Sequence, residues 1–391
     1  MNNEIKISLL DKTNYSQWDE YVSNHPLGNY CHLTGWREVI RSSYGHPVYY
    51  LKAFQHSGQY AKLKKEVAEP MLIGNSNSGK RSEQIVGILP LVHIRSPIFG
   101  NKLVSVPFLD MGGVIASDDD VAQCLIDAAA KLALQLQAKS VELRQETPLK
   151  YLEEVSAECE TGSQKRWFIS KKITEKVRIV LKLTPSSEQL LKSFKSKLRS
   201  QIMKPLKEGL CASVGGSEMV DQFYQVFASN MRDLGSPVHS KKVVEGVMNE
   251  FGDSSRIFLI LANGKAVAGS VALGFRNTFV NPWASSLKAY RKMSPNMLLY
   301  WTMLEYACNK GFEYFDFGRS SPGDSTYNFK KQWGGDTYPL NWYRYVSHQV
   351  DAANNTSTER DKFLAAVKYW QKIPVPITKL IGPMIRKYIS L

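Results

Sequence analysis

The sequence predicts an α/β fold of two tandem modules, each a mixed, mainly antiparallel sheet flanked by helices. The first ground is length: 391 residues make two domains at about 150 residues each. The second is a repeated order: helices, a hairpin, a third strand, a helix and a closing strand occur twice along the chain. The third is composition. With 43% hydrophobic and 22% charged residues, disordered, collagen-like and coiled-coil classes are excluded.

The first module spans 1–168. A helix begins near residue 16, with Trp18, Tyr21 and Val22 on its apolar side, and another runs from Thr34 to Ser43 over Trp36, Val39 and Ile40. Strands are predicted at His46 to Phe54, Ile85 to His93 and Phe108 to Ile115. Ser117 to Asp120 caps a helix rich in Ala and Leu, Val121 to Leu136. Val141 to Arg144 closes the unit. An insertion at 58–84, rich in Lys, Ser, Asn and Gly, interrupts the hairpin and reads as flexible.

The second module spans 172–346 and carries the predicted active site. Thr184-Pro185 starts a helix, and a basic helix follows it. Met219 to Asp233 is helical. Ile257 to Ala262 and Ala266 to Leu273 form a hairpin through Asn263-Gly264. Thr278 to Trp283 is a strand, Ser294-Pro295 opens a helix to Asn309, and Tyr314 to Phe317 is the last strand. The returning strands match in detail, Ile85-Val86-Gly87 against Val267-Ala268-Gly269.

Residues 347–391 form a polar linker and a tail. From Lys362 to Leu391 there are six basic residues and no acid, with Trp370, Ile373, Leu380, Ile381 and Ile385 among them. Such a segment either packs on the first module or lies on a membrane surface; Pro374, Pro376 and Pro383 prevent one continuous helix.

Fifty Lys and Arg against 36 Asp and Glu leave a net charge of +14, a surface suited to polyanions or to solubility alone. No apolar run approaches the ~18 residues of a membrane span, and the N-terminus does not read as a secretory leader. Five scattered cysteines read as reduced thiols of a cytoplasmic protein, with peripheral contact at the inner face of the plasma membrane as a further expectation. No metal motif occurs among the His and Cys residues. Gly74 to Arg81 falls one residue short of a P-loop, since Arg81 stands where magnesium needs Ser or Thr. Asp316-Phe317-Gly318 lacks the other kinase motifs.

Hairpin, strand, helix, strand resembles the GCN5-related acyltransferase (GNAT) fold. The resemblance implies a splayed pair of strands holding an acyl donor, its phosphates at a helix N-terminus. Here the loop before that helix, Ala289 to Asn296, has no glycine, and Pro295 removes one amide donor. Its first-module counterpart, Ala116 to Asp120, is acidic.

A doubled chain lacking those loops resembles the Fem family of peptidoglycan aminoacyltransferases, and within it a BioF2-like acetyltransferase-domain subgroup associated with exopolysaccharide and exosortase systems. The matching stretches are Lys197 to Ile202 with Lys207-Glu208-Gly209, Met231 to Pro237, Pro295 to Trp301, Phe315 to Ser320, and Phe329 to Gly334. The long helical arm of some Fem proteins is absent around Lys204 to Val220. The resemblance implies an acyltransferase that moves an aminoacyl or acyl group to an amine of a cell-envelope glycan or peptidoglycan-type intermediate. No tightly bound cofactor is implied. The donor is aminoacyl-tRNA or acyl-CoA, and the acceptor a nucleotide- or lipid-linked glycan. Acyl-CoA-dependent N-acyl transfer in exopolysaccharide synthesis, and a non-catalytic binding protein of a polysaccharide-assembly complex, remain the alternatives.

Amide formation needs a held amine, a stabilised oxyanion and a proton acceptor. Lys330, where the resemblance places a functional lysine, is the candidate to neutralise an oxyanion or hold a phosphate; otherwise it is an exposed loop lysine. Asp316 either orients the amine and takes a proton or is a structural carboxylate paired with Arg319. Lys197 and Arg199 belong to a helix with Lys192, Lys195, Lys204 and Lys207, suited to a diphosphate, to tRNA or to solubility. Tyr290, Arg291 and Lys292 lie where donor phosphates lie in the resemblance. Arg319 and Trp333 complete the predicted substrate-binding set.

Overall fold

The computed structural model describes residues 5–56, 83–149, 167–173, 175–347 and 365–390. The insertion at 58–84, apart from its last two residues, and the linker up to 364 lie outside them.

Among the described residues fifteen strands divide into two sheets. In chain order they are β1 (Lys6–Leu9), β2 (Val48–His56), β3 (Glu83–Ser96), β4 (Gly100–Val104), β5 (Ile115–Ala116), β6 (Ser140–Gln145), β7 (Trp167–Ile173) and β8 (Val177–Lys182). Then follow β9 (Leu210–Gly215), β10 (Ser255–Ala262), β11 (Lys265–Phe275), β12 (Thr278–Ser286), β13 (Tyr314–Ser320), β14 (Asp336–Pro339) and β15 (Asn341–Ser347). The first sheet runs β1-β2-β3-β4-β6-β15-β7, with β5 beside β3; the second runs β14-β8-β13-β12-β11-β10-β9.

Each sheet contains one parallel pair, β4 with β6 and β12 with β13, and a helix crosses between its strands. In the first sheet that helix is Asp119–Gln135, whose cap Asp118 accepts the Val121 amide at 2.9 Å. In the second it is Pro295–Asn309, buried on nearly every side beneath strands that read as continuous apolar runs.

The modules share a core. Trp36, Val39 and Ile40 of helix Gly35–Tyr44 meet Val243 and Val247 of helix Lys241–Phe251, and both pack on Ile257, Leu259 and Val271 of the second sheet. On that sheet's other face lie helices Ser187–Ser193, Ser196–Lys207 and Pro295–Asn309, over Phe258, Ile260, Phe315 and Phe317. The second sheet is therefore a middle layer with apolar side chains on both faces.

Several expectations are corrected. Phe108 to Ile115 is not a strand: Val106 and Phe108 adopt φ of 50° and 74°, and only Ile115–Ala116 pairs. The third strand is β4 instead, opposite β3 in a hairpin. Strand β15, counted with the second module on sequence, pairs β6 and β7 of the first sheet. The first helix of the second module starts at Ser187, capped by Ser186, two residues beyond Pro185. Gly87 and Gly269 occupy opposite faces despite their matching contexts. A Cβ on Gly87 would lie 2.6 Å from Val121 of the crossing helix, whereas one on Gly269 would meet Phe223 at 3.1 Å on the face away from it. Helix Lys241–Phe251 and strands β1, β7, β8, β9, β14 and β15 were not anticipated.

The tail folds as helix Val375–Arg386. Its Gly382 fits against Val238 of the second module, while the His46 ring and the Lys387 carbonyl meet at 2.7 Å in the first. It thus bridges the modules.

Candidate active site

The site begins where two strands part. β12 and β13 pair only from Thr278 with Tyr314 to Val280 with Asp316, and then run on to Ser286 and Ser320 without pairing each other. Phe315 and Phe317 alternate into the core, so Asp316 and Gly318 face the other way. Gly318 holds φ 72°, and a Cβ there would stand 3.0 Å from the Asn281 carbonyl across the gap and 4.0 Å from Lys330 Nζ. Only glycine leaves this opening clear. Asn281 is buried, and its Oδ1 accepts from Ser270 Oγ at 2.8 Å.

Lys330 comes from the short helix Ser325–Lys331 and reaches back to β13, where its Nζ donates to the Arg319 carbonyl at 2.8 Å. Its stem is half-buried. Burial lowers the ammonium to about 8; Asp316 and Asp110 pull it upward, and Arg319 adds to the lowering. A lysine so poised carries its proton at neutral pH and releases it readily.

Asp316 is 1% exposed and its oxygens are committed. Oδ1 accepts the Gly318 amide at 2.8 Å, and Oδ2 lies 3.0 Å from Arg178 Nε. Arg178, on β8, also pairs through Nη1 with Glu146 of the first module. Burial works against the guanidinium's charge, yet Asp316 and Glu146 hold it above its usual value. Arg319 does not pair with Asp316; its Nη1 is 3.2 Å from Asp110 Oδ1, and its guanidinium stacks 5.1 Å over the Trp342 ring. Two arginines of the second module thus each hold a carboxylate of the first. Beside the Arg178 pair opens a cleft of about 180 Å³, lined by Asn29, Met111, Glu146, Arg178, Arg276 and Asp316 among others.

The other predicted residues are placed apart from this cluster. Lys197 is exposed on a groove of about 650 Å³ that also includes Lys182, Lys195, Gln201 and Lys331. Trp333 borders the same groove but is 1% exposed and packs on Phe194 and Phe329, so it is a core residue. Arg199 Nη1 donates to the Phe194 carbonyl at 2.7 Å and the Lys192 carbonyl at 3.2 Å, finishing the preceding helix. Tyr290 is half-buried against the core and Arg291 is exposed, in a 3-10 turn before the crossing helix. Lys204 Nζ ties that turn to the basic helix through the Lys292 carbonyl at 2.8 Å.

Arg178, Glu146, Asp110 and Asn281 were missed on sequence. The signal for Arg178 was a lone charge inside the apolar run Val177–Leu181, which burial makes costly without a partner. Among the described residues no three His, Cys, Asp or Glu side chains converge as a metal site.

The corresponding opening of the first sheet is stitched shut. Ser105 Oγ accepts the Arg144 amide at 2.8 Å just past the last β4–β6 pair. The Ser390 carbonyl accepts from the Phe108 amide at 2.9 Å and from Arg144 Nη2 at 2.6 Å, and Lys102 Nζ donates to Ser390 Oγ at 2.9 Å. The tail thereby binds both edges, and one open gap remains, in the second module.

Residues 192–331, which hold that gap, match the family described as an acetyltransferase (GNAT) domain. The whole architecture is similar to the crystal structure of FemX, at 14% identity and a TM-score of 0.62, over 88% of this chain and 98% of that one. The fold is a tandem GNAT fold. It is also similar to a tandem GNAT protein from the clavulanic acid biosynthesis pathway, at 10% identity and TM-score 0.51, over 89% of this chain and 100% of that one. A conserved protein of unknown function from Bacteroides thetaiotaomicron is similar at 9% identity and TM-score 0.50, over 88% and 100%. No curated protein matches the sequence. In this tandem GNAT fold, Lys330 stands beside Gly318 at the second module's gap, within the field of the first module's Asp110.

Proposed function

We propose that the chain is an acyltransferase that joins an aminoacyl or acyl group to an amine, with the chemistry at Lys330. The observation that carries this reading is a lysine of lowered pKa beside glycine-lined, diverging strands. The amine nitrogen attacks the donor's ester or thioester carbonyl carbon, and the carbonyl electron pair moves to oxygen. The Lys330 ammonium stabilises that oxyanion. The carbon–oxygen or carbon–sulfur bond then breaks, the pair leaves with the donor, and the nitrogen gives up its proton. Glu146, which lines the neighbouring cleft and is part-exposed, is the carboxylate we assign to receive it, through water. Asp316, almost wholly buried where Glu146 is part-exposed, is a positioning residue for Arg178 and Gly318.

An aminoacyl ester suits the donor loop. Its helix starts at Pro295 behind Ser294 at φ 55°, with no glycine to wrap a pyrophosphate. The acceptor proposed is an amine of a nucleotide- or lipid-linked cell-envelope glycan of peptidoglycan type, its phosphates near Lys197, Arg291 and their neighbours. A second reading, an acyl-CoA donor in exopolysaccharide synthesis, draws on the match of 192–331 to an acetyltransferase domain. Incubation with envelope extract and either charged tRNA or acetyl-CoA, read by mass spectrometry for a new amide, separates them. Consumption of charged tRNA supports the first reading and calorimetric binding of coenzyme A the second. Consumption of neither donor overturns both and leaves a binding protein.

A further inference from the structure

Helix Val375–Arg386 is amphipathic the wrong way round for a helix that serves only its own fold. Apart from Val375, which touches the shared core, the side packed on the molecule is small or polar: Thr378 is 1% exposed, Gly382 approaches the Val238 backbone, and Arg386 Nε meets His239 Nε2 at 3.0 Å. The bulky apolar side chains point out. Ile377 is 48% exposed, Leu380 74% and Met384 65%, at the three- and four-residue spacing that makes one stripe. Ile381, half-buried, borders that stripe. A soluble helix buries such a stripe; this one displays it.

Charge decides what covers it. Lys368 and Lys372 are exposed just before the helix, Lys387 follows it, and from Lys362 to the chain end there is no acid. Tyr369, 71% exposed, adds a ring of the kind that settles at a lipid headgroup boundary. No helix among the described residues is long and apolar enough to cross a membrane. We propose that this face lies in the interface of an anionic lipid bilayer, the apolar stripe among the acyl chains and the lysines on the headgroups. Its inner side stays latched to both modules, so docking needs no unfolding of the tail.

The test is cosedimentation of the full chain with phosphatidylglycerol-containing vesicles and with pure phosphatidylcholine vesicles. The chain is expected to pellet with the anionic vesicles and to be released by high salt. The double variant Leu380→Glu, Met384→Glu is expected to bind at least about tenfold more weakly. Lys368→Gln with Lys372→Gln is expected to lose most of the preference for anionic lipid. Both variants alter exposed side chains, so the melting temperature is expected to hold. Four results would each overturn the proposal: no binding to anionic vesicles, equal binding to neutral ones, unchanged binding by the glutamate variant, or a dimer by light scattering that the glutamate variant dissolves. A large fall in melting temperature in that variant would also overturn it, because the face would then be covered by the chain itself.

Discussion

Arg178 Nε lies 3.0 Å from Asp316 Oδ2, and the other end of the same guanidinium grips Glu146. One side chain on β8 therefore joins the splayed strand of the second module to a carboxylate of the first. Replacing Arg178 by Ala strands two carboxylates, one of them almost wholly buried. The expected loss is about 3–5 kcal/mol of stability. Urea denaturation measures it, and a loss below about 1 kcal/mol would mean that water already supports Asp316.

The Lys330 ammonium is lowered by burial to about 8. In the proposed mechanism its charged form is the active one, so turnover is expected to fall as pH rises through that value. Stability runs the other way. Between about 8 and the ordinary lysine value the unfolded chain binds the proton and the folded one does not, so this group's contribution to stability rises with pH there. Rate and denaturation profiles with opposite slopes are the signature. A Lys330→Arg variant is expected to retain part of the activity and shift the falling limb upward.

Gly318 combines φ 72° with a place between Asn281 and Lys330. Gly318→Ala is expected to cost about 1–2 kcal/mol for the left-handed backbone. It also puts a methyl group into the opening. Activity should fall further than stability predicts, chiefly through KM, since the variant narrows a binding gap while leaving Lys330 in place.

Removal of residues 388–391 takes the Ser390 carbonyl from Arg144, a side chain with no exposure. Unpaired buried donors cost about 1–3 kcal/mol each, so the truncated chain is expected to melt earlier. Burial opposes its charge, but Arg144 keeps the neighbouring Glu142 carboxyl below its usual range, so that ion pair survives the truncation. The transfer rate per folded molecule should remain, because the proposed chemistry lies in the other module. A loss of transfer at full folding would place the tail in the reaction.

Local signals were legible in the sequence where local physics decides. Pro295 at a first turn gave the helix to Asn309, Asn263-Gly264 gave the hairpin, and alternation separated Phe315 and Phe317 from Asp316. Lys330 was singled out through its motif. The partners of Asp316 and Arg319 were not, because Arg178, Glu146 and Asp110 lie far from them in sequence and meet only through module packing. For the same reason the second module was drawn to 346: no local feature of Asn341–Ser347 says which sheet it completes. Trp333 looked like a ligand platform and is a core residue, since an aromatic beside a catalytic-type lysine has the same sequence signature in either role.

The most direct test is a single-turnover transfer rate for Lys330→Ala against the native chain. The donor and envelope extract are those that support turnover in the native chain, and folding is checked by circular dichroism. Losing an oxyanion-stabilising charge is expected to slow transfer by about 10²–10³-fold with the fold unchanged. A variant that folds and transfers at the native rate would contradict the placement of the chemistry at this lysine.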